Sequence, residues 1–205
     1  AAGREDQVVA ADVADVEAAV RAGADALGFV FTPRSKRFLQ TDTAVALVKA
    51  VPAFVTRVGL FLDQDAGEVA SVVKRVPLSL LQFHGTESGR YCRQFGLPYI
   101  KAVSMGSEWD SAAVDDEYAD AAGVLLDSHE PGGVGGTGHS FDWHSVPDLR
   151  LPLILAGGLN PANVGRAVTA VRPWAVDVSS GVEDAPGVKN EQKIIEFIKE
   201  ARREF

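Results

Sequence analysis

The sequence predicts an α/β protein in which residues 1–205 form a single domain, a TIM (β/α)8 barrel, and three observations carry that expectation. Eight short apolar runs of strand length recur along the chain. Between them lie patterns with apolar residues at three- and four-residue spacing, as helices covering a barrel require. The last two runs end in small residues just before a helical start, where parallel barrels hold anionic groups.

Taken in order, the expected strands are QVVAA (7–11), ALGFVF (26–31), RVGLFL (57–62), SLLQFH (79–84), YIKAVS (99–104), GVLLDS (123–128), LPLILAG (151–157) and AVDVSS (175–180). The intervening helical patterns are VADVEAAVRAGA, TDTAVALVKAV, AGEVASVVKRV, ESGRYCRQFG, WDSAAVDDEYA, a short FDWHSV, PANVGRAVTAV and the terminal NEQKIIEFIKEARRE. Thr41 or Asp42 is an expected cap for the second helix, Pro161 suits the first turn of the seventh, and Asn190 is an expected cap for the eighth. No linker or low-complexity stretch divides the chain, and the βα period is its only repeat.

A length of 205 residues suffices for one core and lies near the compact limit of an eight-unit barrel. A formal net charge of −8 with 46% hydrophobic residues describes a soluble globular protein with no basic field for nucleic acid or anionic membrane. An anionic substrate must then be held by local groups. The single cysteine, Cys92, excludes an internal disulfide and fits a reducing compartment. No apolar run approaches the roughly 20 residues that span a bilayer, and AAGREDQ lacks the features of a signal peptide, so the expected location is the cytoplasm.

On a barrel, chemistry sits at the C-terminal strand ends. Gly157 and Gly158 end the seventh run, and Ser179, Ser180 and Gly181 end the eighth. Paired strand ends that offer amides and hydroxyls before helix N-termini suit a phosphate dianion; two tight turns that need glycine for steric reasons alone are the alternative. The loop TPRSKRFL (32–39) brings Arg34, Lys36 and Arg37, suited to clamp an anion or simply to be solvated. His84 follows the fourth run, a candidate ligand contact or a structural hydrogen-bonder.

The strongest catalytic candidate is Asp127, one carboxylate ending an apolar strand, where partial desolvation would favour proton donation near neutral pH. Next to it, HEPGGVGGTGHSFDW (129–143) carries five glycines between 132 and 138 and reads as a lid. Asp177, alternating with apolar residues on the eighth run, ranks below Asp127 because it equally suits a hydrogen-bonding role in the barrel interior.

With these residues laid out, the chain resembles the phosphoribosylanthranilate isomerase family of tryptophan biosynthesis. The resemblance runs from about residue 13 to residue 203 through AGADALGFVFTPRSKRF (22–38), RVGLF (57–61), LQFHGTES (81–88), IKA (100–102), LLDS…PGGVGGTGHSFDW (125–143), LILAGGLNPANV (153–164) and VDVSSGVEDAPGVK (176–189). It implies an Amadori rearrangement of an aminoribosyl phosphate, with a small phosphosugar substrate, no metal or organic cofactor, and a monomer or homodimer. Asp127 matches the family's general acid and Arg37 the arginine at the anthranilate end. Gly157, Gly158, Ser179, Ser180 and Gly181 match its 5′-phosphate site.

One element departs from the family pattern. The family's base is a cysteine in a Lys-x-Cys-Gly segment ending strand one, whereas Cys92 lies in ESGRYCRQF, and a gap-free count puts Val8 at the base position. Three explanations follow. Another residue, foremost Asp12 just after strand one, has taken the role; the chain has lost or changed activity, as a non-catalytic or repurposed phosphosugar-binding barrel; or the first strand is not the native one.

Overall fold

The computed structural model describes residues 5–104, 110–127, 143, 146 and 148–203. Its strands are β1 (Glu5–Val9), β2 (Ala26–Val30), β3 (Thr56–Phe61), β4 (Leu80–Phe83), β5 (Tyr99–Ser104), β6 (Gly123–Asp127), β7 (Leu153–Leu155) and β8 (Ala175–Val178). All eight run parallel in chain order and close into a barrel through β1 and β8. Helices α1 (Val13–Ala22), α2 (Thr41–Ala50), α3 (Ala66–Arg75), α4 (Gly89–Cys92), α5 (Ser111–Glu117), α6 (Val164–Val171) and α7 (Glu191–Arg203) follow the strands. The expected helix FDWHSV lies outside the described residues apart from Trp143 and Val146, and so does the glycine-rich loop up to Trp143.

Each strand is buried on both sides, so alternate residues serve two different layers. Val9, Ala26, Val30, Val58 and Leu60 meet inside the barrel, as do Ile100, Ala102, Leu125, Ile154, Ala156 and Ala175. The opposite faces, with Val8, Leu27, Phe29, Phe61, Leu81, Phe83, Leu155, Val176 and Val178, pack beneath the helices. A stack of rings from Phe31 through Phe61 to Phe83 and Phe95 runs along that outer layer. Each fully buried side chain of this size stabilises the fold by about 1.5–3 kcal/mol.

β1 differs most from expectation. It spans residues 5–9 rather than 7–11, because Asp12 ends the turn into α1 by accepting a hydrogen bond from the Asp15 amide, while Asp15 reaches back to the Ala11 amide. Residues 5–9 complete the barrel: Val8 pairs with Leu27 on one side and Val178 on the other. Alternation then turns Val8 toward the helices and Val9 toward the interior, so Val9, not Val8, is the last inward residue of the strand.

Caps show the same mixture. Asn190 caps α7 as expected, accepting from the Lys193 amide. α2 begins with Thr41 and Asp42 already inside its first turn, and Gln40 occupies the cap position without a side-chain bond. Pro161 precedes α6, whose first residue is Val164, because Asn160 and Asn163 organise the intervening turn through their own side chains.

Candidate active site

The C-terminal strand ends bring most of the expected residues to one mouth. β7 is followed by Gly157 and Gly158, both in the left-handed region at φ 78° and 65°, a conformation that costs glycine little. The side-chain amides of Asn160 and Asn163 donate to the Gly158 carbonyl and hold this turn. After β8, Ser179 leads into a 3-10 turn, Ser180–Val182. The two loops touch through their backbones: a Cβ on Gly181 would lie 1.8 Å from the Leu159 carbonyl oxygen. Among the described residues, the amides of Gly157, Gly158, Ser180 and Gly181 donate to no other group, the pattern of an anion cradle.

Arg37 reaches the mouth from the loop after β2, and it is buried, whereas Arg34 and Lys36 are exposed. Its Nε and Nη2 each donate to Glu183 at 2.6 Å, a bidentate pair. Glu183 starts β9 (Glu183–Ala185), which forms a hairpin with β10 (Val188–Lys189) beyond β8. From β10 the buried Lys189 ammonium donates to Glu183 and to the Ser179 carbonyl, both at 2.7 Å. Burial works to raise the Glu183 pKa, but the bonds from Arg37 and Lys189 outweigh it and hold the carboxyl at about 2. Burial also lowers the Lys189 pKa, an effect Glu183 opposes. The hairpin thus ties the Arg37 guanidinium to the loop that carries Ser179. Nothing in the periodicity of VEDAPGVKN announced it; Pro186-Gly187, with Gly187 at φ 86°, was the available turn signal.

A polar row crosses the barrel below these loops. Gln7 on β1 is the ladder partner of Asp177 on β8 and donates to Gln82 on β4 at 3.1 Å. The Gln82 amide nitrogen lies 2.5 Å from His84 Nε2, so the ring accepts there and its position follows from the row. Asp177 is buried, and its Oδ1 has no hydrogen-bond partner among the described residues. Burial raises its pKa, the Asp127 charge raises it further, and Lys189 and Gln7 oppose both, leaving it at about 7. Asp127 ends β6, half-buried, within electrostatic reach of Asp177.

Asp12 stands apart from this row. It is exposed at the start of α1, its Oδ1 taken by the Asp15 amide. Cys92 is buried beneath the helices, and burial pushes its thiol up to about 12. Among the described residues no group of three His, Cys, Asp or Glu side chains is placed to hold a metal ion.

A family model for N-(5′-phosphoribosyl)anthranilate isomerase matches residues 6–200. The chain belongs to that family. It is 53% identical over 192 residues to the N-(5′-phosphoribosyl)anthranilate isomerase of Thiobacillus denitrificans, covering 93% of each chain. With the enzyme of that name from Acidithiobacillus ferrooxidans it shares 50% over 188 residues, 92% of each. Among solved structures it resembles phosphoribosyl anthranilate isomerase from Thermotoga maritima, with a TM-score of 0.85 at 38% identity over 98% of this chain and 99% of the other. A structure of the family in complex with reduced 1-(o-carboxyphenylamino)-1-deoxyribulose 5-phosphate gives 0.83 at 36%, with the same coverage.

Proposed function

We propose that the chain catalyses the isomerase reaction of its family, the Amadori rearrangement of N-(5′-phosphoribosyl)anthranilate to 1-(2-carboxyphenylamino)-1-deoxyribulose 5-phosphate in tryptophan biosynthesis. The observation that carries the reading is the joining of the β7 and β8 loops around four unengaged amides, with Asp127 and Arg37 at the same mouth.

Gly157, Gly158, Ser179, Ser180 and Gly181 take the 5′-phosphate. Arg37 takes the anthranilate carboxylate through Nη1, the nitrogen its pairing with Glu183 leaves over. Held at both ends, the sugar lies across the mouth with its ring oxygen near Asp127, and fixing it there removes much of the entropic part of the barrier. Asp127, as general acid, protonates the ring oxygen while the anilino nitrogen supplies electrons to C1′, which opens the ring to an iminium ion. Loss of the C2′ proton then gives an enaminol, whose tautomerisation yields the ketone. His84, fixed by Gln82, contacts the substrate above β4.

The partner is a small phosphosugar, with the chain acting as monomer or homodimer; one similar Thermotoga maritima structure concerns monomers generated from a dimeric enzyme. A cytoplasmic location fits a biosynthetic enzyme, and among the described residues no helix is long and apolar enough to cross a membrane. A second reading, a non-catalytic phosphosugar-binding barrel, is favoured by one observation: the inward residue ending β1 is Val9, which accepts no proton. Following the fluorescence of an anthranilate-linked substrate separates the two. Turnover with a rate proportional to enzyme supports the isomerase, and tight phosphosugar binding without turnover supports the binding barrel.

A further inference from the structure

We propose that Asp177 is the general base of the isomerisation, supplying from β8 the proton acceptor that the end of β1 lacks. The inference rests on the isomerase reading above and deepens it. Four observations support it.

The first is position. Gln7 and Asp177 are partners in the β1–β8 ladder, so Asp177 faces the interior beside the strand where a base is missing. Ser179 follows two residues later on the same face, an advance of about 6.6 Å along a strand. That is comparable to the reach from a 5′-phosphate to C2′ of an open pentose. A phosphate seated at Ser180 and Gly181 therefore brings C2′ back over Asp177.

The second is Oδ1 of Asp177, which has no hydrogen-bond partner among the described residues. A buried carboxylate oxygen without a hydrogen bond is costly, and buried polar atoms in native proteins are nearly always satisfied. Substrate provides the missing neighbour.

The third is the relation to Asp127. β6, β7 and β8 are consecutive, and the pairings Leu126 with Leu155 and Leu155 with Val176 put Asp127, Ala156 and Asp177 on one inward row. Two strand spacings separate the carboxylate-bearing backbones, roughly 10 Å, with Ala156 between them on the row. A pair that holds one proton suits this reaction throughout. Turnover runs through the arrangement in which Asp127 carries the shared proton and Asp177 is ionised. Asp127 gives it to the ring oxygen, and the new negative charge on Asp127 makes Asp177 a stronger base just when C2′ must be deprotonated. Asp177 takes that proton, the C2′–H electrons form the C1′=C2′ bond, and the iminium nitrogen is neutralised. The oxidation of C2′ balances the reduction of C1′, so no outside reductant or oxidant enters.

The fourth is poise. Among the described residues the charged and polar groups facing Asp177 are Asp127 from β6, Lys189 from β10 and Gln7 from β1; burial and the Asp127 charge work against its ionisation and the other two favour it, so Asp177 gains basicity once Asp127 has given up its proton. Asp12 lacks these features: its carboxylate is exposed and engaged as a helix cap.

The test compares the unmodified chain with Asp177→Asn, Asp12→Asn and Gln7→Leu, using phosphoribosylanthranilate carrying hydrogen or deuterium at C2′. Melting curves and inorganic-phosphate binding show that each variant is folded with its anion site intact. Asp177→Asn is expected to lower kcat about 10²–10⁴-fold with phosphate binding unchanged. Asp12→Asn, whose amide still caps α1, is expected to stay within a few-fold of the unmodified rate. Gln7→Leu removes a polar neighbour that favours ionised Asp177 and should move the acid limb of the pH–rate profile upward. Retained turnover in Asp177→Asn, loss in Asp12→Asn, or an unmoved acid limb in Gln7→Leu overturns the proposal while leaving the isomerase reading intact. Absence of turnover in the unmodified chain overturns both.

Discussion

Arg37 and Glu183 lie 146 residues apart and meet through two bonds of 2.6 Å, with Lys189 on the same carboxylate. Side-chain exposures of 10% and 4% mean that neither charge is well solvated, so each depends on the other. Removing one partner of a buried pair leaves the rest uncompensated, at a cost of about 3–5 kcal/mol. Glu183→Gln should therefore lower the denaturant midpoint and also weaken substrate binding, because Arg37 loses its fixed orientation. The folded pKa of Glu183 lies below its ordinary 4.5, so its contribution is present above pH 4.5 and is lost as pH falls toward 2. Acid denaturation curves of the two proteins should converge in that window.

The amide cradle predicts that inorganic phosphate or sulfate binds Gly157, Gly158, Ser180 and Gly181 in crystals grown with such anions. Gly181→Ala would force a methyl against the Leu159 carbonyl and part the two loops. Phosphate affinity measured by calorimetry should fall at least tenfold, by roughly 1.4 kcal/mol or more. An anion found instead on the TPRSKRF loop, with the glycine amides left to water, would refute the assignment.

Asp127→Asn keeps the shape of the acid but cannot deliver its proton. Turnover should drop by about 10²–10⁴ while phosphate affinity stays nearly unchanged. Equal loss of substrate binding would mark Asp127 as a structural residue.

Asp177 carries a stability consequence opposite in sign to that of Glu183. Its folded pKa is raised from 3.8 to about 7, so stability is greatest below pH 3.8 for this group and is lost as pH rises through 7. Asp6, buried beneath α7 and raised to about 6 by burial against the pull of Arg202, acts in the same direction. Asp177→Asn should raise the melting temperature at pH 8, by an effect on the order of 2–4 kcal/mol, and leave it little changed at pH 4. A lower melting temperature at pH 8 would show that the ionised carboxylate is stabilised by groups other than those named here.

The two orientations at the end of β1 are separable by cysteine. In an Asp177→Asn background, Val9→Cys places a thiol in the mouth and should recover roughly tenfold in turnover at alkaline pH, where thiolate forms. Val8→Cys buries its thiol beneath the helices and should recover none. The reverse result would mean that β1 is shifted by one residue.

The sequence by itself determined the barrel. Every one of the eight expected strands is present within a few residues of its expected bounds, because a strand buried on both faces is written as a continuous apolar run that local reading detects. It also singled out Asp127, Arg37 and the β7 and β8 loops as candidates, because chemistry on a barrel sits at the C-terminal strand ends. What only the tertiary structure decided was partnership and facing. Glu183 and Lys189 read as an ordinary polar loop until the hairpin brought them onto Arg37. Gln7 and Gln82, 75 residues apart, form one row only because the barrel closes. Val8 and Val9 are equivalent in sequence, and Asp12 and Asp177 are both single carboxylates near strand ends. The parity of a strand that is apolar on both faces carries no local signal, so which of two neighbours faces the interior is settled by register with β2 and β8. Desolvation and charge coupling, which distinguish Asp177 from Asp12, arise from groups distant in the chain and exist only once the fold has assembled them.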